Sequence, residues 1–327
     1  MPKIVALVTA ICLLFCLVAC SASDTDELDG SSQPQSNVKI TIRDERNDSG
    51  IESATQQNQN SQVSSENSEN TNILPAIIDT EQEEYRPCYL LGNCRRLQGN
   101  PLVVLLFVDD DDSSWSASEV TEYINNYVDE GLKYLEDKAK EWNVNLKFSV
   151  KAYSTPLSDY TLKYEGSVTQ NLKINGSTKD ILDQMAYDMG YSSNWELYSK
   201  FKTEHGTNDD VIFLTFLNKP GKSYARQVIS TGRTSYTEHC VIFSDYLEGS
   251  SFGCKASTVA HELLHLFGAE DFYAEHRKML AYQIYPKDIM LWMPTEAYEN
   301  EIGDFTAYTV GWTDTVPSVC YDENWWK

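Results

Sequence analysis

Between Ser21 and Glu84 the chain has no Phe, Trp or Tyr, while 37 of its 38 aromatic residues fall from Tyr85 onward. A stretch without large apolar side chains cannot bury enough surface to offset the entropy of ordering it. One core spread over the whole chain is therefore excluded. What remains is a domain at 85–327, long enough for a sizeable core, behind a solvated segment at 20–84. That segment is rich in Ser, Asn, Gln, Asp and Glu, the composition of a like-charged linker. A removable pro-segment is the alternative reading. Residues 21–84 carry 14 acidic and 3 basic side chains, net −11, and residues 85–327 carry 35 and 22, net −13. Such a chain is repelled by phosphate backbones, so nucleic acid is not an expected partner.

Residues 1–19 read as a secretory signal. Lys3 supplies a positive start, and the apolar run Ile4–Ala19 is short for a spanning helix. The run ends Leu17-Val18-Ala19-Cys20, which resembles the lipobox of bacterial lipoproteins. The resemblance implies cleavage before Cys20, lipid attachment there, and a membrane-anchored, extracytoplasmic location. Acyl chains partition into a bilayer by about 0.8 kcal/mol per buried methylene, so several chains anchor firmly. Export also permits disulfides. Spacing suggests loops closed by Cys88 with Cys94 and by Cys240 with Cys254, leaving Cys320 odd.

The domain alternates strand and helix patterns. Leu102–Val108 is an apolar run of strand length, buried on both faces. Ser116 stands three residues before Glu119 as a capping box, and apolar steps of three or four predict a helix to Trp142. Val144–Ala152 alternates as a half-buried strand. Helices follow at about 178–189 and from Ser193 to Gly206. Strands are expected at Val211–Leu217, Tyr224–Ser230 at an edge, and Cys240–Ser244. The expected fold is α/β (α+β): a mixed, mostly parallel sheet of about five strands with an antiparallel edge strand, packed on helices, before a helical or irregular C-terminal part.

The stretch from Ser257 to Gly268 has helical character, with Ser257 or Thr258 as capping candidates. His261 and His265 are four residues apart, so their imidazoles lie on one face and can share a metal. Glu262, beside the first of them, can take a proton from water. By composition this five-residue pattern arises by chance in roughly one such chain in 150. The continuation sharpens it. Gly268 can turn the chain through a conformation closed to most residues, letting Asp271 return as a third ligand. Three protein ligands leave a position for water, which is the catalytic arrangement for zinc.

These residues, HELLHLFGAED, resemble the HExxHxxGxx(H/D) pattern of the metzincin clan of zinc peptidases. The Asp version is similar to the snapalysins and the immune-inhibitor-A-like secreted bacterial peptidases, the latter also through Asp271-Phe272-Tyr273. The resemblance implies a zincin-like fold, zinc as cofactor, a peptide or protein substrate, and a Met-turn at Asp288-Ile289-Met290, with Met293 as an alternative. The later run from Phe305 to Trp312 is similar to one that follows the site in immune-inhibitor-A-like enzymes. Many clan members carry an oxyanion-assisting Tyr two residues after that Met, where this chain has Trp292; Tyr273, Tyr282 and Tyr285 are other tyrosines in reach. His276 is a rival third ligand, and His205 and His239 read as surface or core residues. A thermolysin-type Glu ligand is missing, since Tyr285 occupies its place.

The Asp109–Asp112 run reads either as a solvated loop or as part of a calcium site. The functional expectation is a membrane-anchored zinc endopeptidase. A catalytically inactive binding protein or adhesin on the same scaffold, and a metal-dependent hydrolase of another bond, are the alternatives.

Overall fold

The computed structural model describes residues 92–168, 180–206, 209–227, 237–245, 255–273, 275–291 and 296–326. Cys20, Cys88, Cys254, Trp292 and Met293 lie outside them, as does the linker. Within α6, defined below, the side chains of Glu275 and His276 lie outside as well.

The first strand, β1 (Leu102–Val108), is buried at every residue, as its unbroken apolar run requires. It leads to α1 (Ala117–Tyr123), capped by Ser116 and Glu119 in the expected reciprocal box. A π-helical turn, Ile124–Val128, joins α1 to α2 (Asp129–Glu141). Asn143, at φ 59°, closes this long helical unit. Strand β2 (Ser149–Ser154) follows, then α3 (Ile181–Asp188) and α4 (Asn194–His205). Asp180 caps α3 and Ser193 caps α4, each accepting from a backbone N–H. Next come β3 (Val211–Pro220), β4 (Tyr224–Arg226) and β5 (His239–Asp245). The chain continues through α5 (Ala256–Leu266), α6 (Glu275–Ile284), α7 (Asp304–Thr309) and α8 (Glu323–Trp326).

The strands form one sheet in the order β2-β1-β3-β5-β4. Four are parallel, and β4 is antiparallel to β5 at the edge. Alternate residues of β1 serve two cores. Val103, Leu105 and Phe107 pack with α1, α2, α5 and the C-terminal helices. Leu102, Val104, Leu106 and Val108 pack with α3 and α4. Each such large side chain contributes about 2 kcal/mol of burial. This is the mixed, mostly parallel five-stranded architecture expected, with helices on both faces, and it is consistent with a zincin-like fold. Among the described residues no helix is long and apolar enough to cross a membrane.

Three expectations are corrected. The strand predicted from Val144 starts at Ser149. Before it, Leu146 makes an isolated bridge to Gly99, and the Phe148 N–H donates to Glu136 Oε1 at 2.9 Å instead of to a neighbouring strand. Helix α5 is capped at Lys255, and Ser257 and Thr258 lie buried inside it. The disulfides expected at Cys94 and Cys240 are not formed: both are free, buried thiols. Cys94 and Cys240 already have other partners, Cys94 Sγ accepting from Asn93 Nδ2 at 3.2 Å and Cys240 Sγ donating to the Glu262 carbonyl at 3.0 Å.

Candidate metal centre

Helix α5 is held from three sides. β5 supports it through the Cys240–Glu262 hydrogen bond. α2 approaches so closely at Gly131 that a Cβ there would stand 2.6 Å from the Ala256 carbonyl. The amide of Gln227, just past β4, donates to the His265 carbonyl. Gly268, at φ 100°, ends the helix, and Ala269 N donates to Leu264 O at 3.2 Å. This turn sends the chain back over the helix, so Asp271 meets the two histidines.

His261 Nε2 and His265 Nε2 are 3.1 Å apart, and Asp271 Oδ1 is 3.2 and 3.3 Å from them. Each ring's other nitrogen faces a carbonyl: His261 Nδ1 donates to Ile289 O at 3.0 Å and His265 Nδ1 to Ala269 O at 2.7 Å. A carbonyl can only accept, so both Nδ1 atoms carry the proton of the neutral ring. Two Nε2 lone pairs and a carboxylate oxygen therefore converge with no donor among them. That is the donor set of a cation, and the nitrogen and oxygen ligands suit zinc. Burial works against a charge on His265, but Asp271 prevails and lifts it to about 9. Asp271 is itself held well below the usual carboxylate range: burial opposes this, and His261 and His265 overcome it.

Glu262 is 6 % exposed, and its Oε2 has no hydrogen-bond partner. Burial pushes its carboxyl up, against the pull of His261 and His265. A buried carboxylate with a raised pKa is a candidate proton acceptor.

The Asp288-Ile289-Met290 turn lies beneath this group. Met290 is fully buried, its carbonyl accepting from Phe272 N at 2.9 Å. Asp288 fixes the turn, accepting from Met290 N at 2.8 Å, Gly303 N at 2.7 Å and Thr306 Oγ1 at 3.0 Å. The structure thus brings together His261, His265 and Asp271, with Glu262 on the same helix and the Asp288-Ile289-Met290 turn reaching His261 through the Ile289 carbonyl. It adds Gln227, the carbonyl contacts of the two histidines and the hydrogen bonds by which Asp288 fixes its turn, none of which the sequence pattern shows.

Other candidates are placed elsewhere. The Tyr285 hydroxyl donates to Asp304, and its ring packs on Phe272 and Trp325. Tyr273 and Tyr282 are exposed. His205 donates to the Asn100 carbonyl at 2.8 Å, and His239 is buried against Asp180 at 3.1 Å. The calcium reading of the Asp109–Asp112 run is corrected, because lysines already supply the cations. Asp110 and Asp112 face Lys219, and Asp111 lies 3.2 Å from Lys163. Burial tends to raise the Asp110 carboxyl, yet Lys219 and three backbone N–H and hydroxyl partners lower it. Among the described residues, His261, His265 and Asp271 are the one group of three or more side chains arranged to hold a metal ion.

No family model matches the sequence, and no curated protein is similar to it. Among solved structures, metalloproteinase-II from Bacteroides fragilis resembles it with a TM-score of 0.31 and 12% identity. The match covers 69% of this chain and 60% of that one, so the chain spans less than two thirds of that protein. A likeness this slight bears on neither the site nor its chemistry.

Proposed function

We propose that the chain is a zinc-dependent endopeptidase, lipid-anchored at Cys20 on the extracytoplasmic side of a membrane and carried on the 20–84 linker. The observation that carries the peptidase reading is the convergence of His261 Nε2, His265 Nε2 and Asp271 Oδ1 within 3.3 Å, with a buried, unpartnered Glu262 beside them. A zinc ion held by these three residues would supply a polarised water and a Lewis acid for the scissile carbonyl. Glu262 then takes the water proton and delivers it to the leaving amine. The carbonyls of Ile289 and Ala269 keep both imidazoles in the ligating tautomer and orientation. Asp271 brings one negative charge, so a zinc ion held here would be a weaker Lewis acid than one on three neutral histidines.

The test pairs metal analysis of the full chain with unbiased peptide-cleavage profiling of the parent and Glu262→Gln. About one zinc per chain is expected in both proteins. The parent should cleave, a chelator should abolish cleavage, and Glu262→Gln should lower kcat by at least about 100-fold, the range for a lost general base. Equal cleavage by parent and variant removes Glu262 from the mechanism. Zinc binding without any cleavage favours the binding-protein alternative.

A further inference from the structure

The three metal-site residues are not held alike. His261 and His265 stand on α5, whose hydrogen-bonded backbone fixes them. Asp271 lies past the end of that helix on irregular backbone, and its side chain is 32% exposed, against 2% and 14% for the two histidines. A ligand so placed keeps its position only if its neighbours in the chain are anchored. Both are. On one side, Glu270 Oε2 accepts from Arg277 Nη1 at 2.6 Å. On the other, Phe272 is fully buried, and its N–H donates to the Met290 carbonyl at 2.9 Å.

Both anchors lead to one residue near the end of the chain. Trp325, on α8, is fully buried. Its ring meets Phe272 edge-on with centroids 5.2 Å apart, and meets Phe305 and Tyr285 in the same way at 4.9 and 5.8 Å. Phe272 also touches Phe305 and Tyr285, at 5.7 and 5.6 Å, so the four rings close on one another. Edge-to-face contacts of this kind are directional, and a close-packed cluster passes on any displacement of one member. The buried guanidinium of Arg277 lies 5.2 Å from the centre of the Trp325 ring, a cation held on an aromatic face. Trp325 therefore backs Phe272 directly and Glu270 through Arg277, and Asp271 is the residue between them.

We infer that Trp325 is a positioning residue for the third metal ligand: through Phe272 and Arg277 it holds Asp271 against His261 and His265, so the last helix of the chain completes the site. The assignment rests on the metal site of the peptidase reading, and its test reads zinc affinity instead of cleavage. The full chain and its variants are titrated with zinc against a chromophoric chelator, after circular dichroism has shown each to be folded. Trp325→Ala should weaken zinc binding about 10–100-fold, the usual effect of removing support behind a ligand. Trp325→Phe, which keeps a ring against Phe272, should recover most of that loss. Arg277→Met, which keeps a stem beside Trp325 but loses the bond to Glu270, should weaken binding by less, and it carries the test if Trp325→Ala does not fold. The deciding comparison is made in an Asp271→Ala background. A residue that works through Asp271 has nothing left to position there, so Trp325→Ala and Arg277→Met should each change affinity by less than about 2-fold. Phe201→Ala, which opens the core on the other face of the sheet, should stay within about 2-fold of the parent although it costs stability. Parental zinc affinity in folded Trp325→Ala and Arg277→Met overturns the assignment and leaves the peptidase reading standing. So does an equal loss with and without Asp271, or an equal loss in Phe201→Ala. Parental affinity in Asp271→Ala removes Asp271 from the ligands and the assignment with it. Failure of the parent to bind zinc overturns both readings.

Discussion

At the scale of single residues, the site divides into groups that touch the metal position and groups that hold those in place. Asp288 belongs to the second kind. It is 2 % exposed and accepts hydrogen bonds from Met290 N, Gly303 N and Thr306 Oγ1, so one carboxylate closes the turn whose Ile289 carbonyl orients His261. Asp288→Ala leaves those buried donors unsatisfied. A loss of about 3 kcal/mol of stability is expected, at 1–3 kcal/mol per buried orphaned group. Zinc affinity should fall about 10–100-fold, the usual effect of removing support behind a ligand. Asp288→Asn keeps one acceptor and should lose less of both. Urea denaturation and zinc titration measure the two losses, and an Ala variant with parental zinc affinity would separate the turn from the metal. The ligands themselves were legible in the sequence because their geometry is local: a four-residue step on a helix and a glycine turn place His261, His265 and Asp271 together. Gln227 was not, and Asp288 was marked only as part of the Met-turn, because what they hold is backbone from segments distant in sequence.

At the scale of elements, the position of α5 depends on its contact with α2. Gly131 sits where the helices are closest, its ideal Cβ 2.6 Å from Ala256 O and 3.2 Å from Val259 Cβ. The sequence pattern predicted the α1–α2 helix and its capping box but gave Gly131 no role, since helix periodicity does not say which face meets which neighbour. Gly131→Val must push α5 off its seat. Overpacking of this kind costs about 1–3 kcal/mol, even though the substitution improves helix propensity. Because α5 carries two ligands and Glu262, kcat/KM should fall more than stability alone explains. Gly131→Ala should show the same effects more weakly. Parental activity in a folded Gly131→Val protein would show that α5 does not need this close seat. The start of β2 has a similar explanation. Val144–Phe148 alternates as a strand does and buries Leu146 and Phe148, but its backbone finds only one bridge, to Gly99. Alternation reports which side chains point inward; it does not report whether a partner strand is alongside.

At the scale of the whole molecule, the acidic balance is divided between carboxylates that folding stabilises and carboxylates that it penalises. Asp180 belongs to the first group. Burial opposes its ionisation, but His239 and Arg226 hold it well below its usual range. Asp210, at the entrance to β3, belongs to the second. Burial pushes it up to about 6, although Lys202 and the Arg95 N–H pull the other way. The sign of its contribution follows from proton binding. Between the unfolded value near 3.9 and about 6, the native state holds a proton that the unfolded chain has lost, so stability falls as pH rises through that window. Below the window both states are protonated and there is no penalty; above it the full penalty of about 3 kcal/mol is present, at 1.36 kcal/mol per unit. Asp210→Asn removes the ionisation while its amide oxygen can still accept from Arg95 N. The variant should therefore gain on the parent by about 2 kcal/mol between pH 4 and pH 7, measured as the change in urea-unfolding free energy of the two proteins at each pH. A difference that stays constant across that range would mean that Asp210 ionises as readily in the folded domain as in the unfolded chain, and that Lys202 and the Arg95 N–H fully offset its burial.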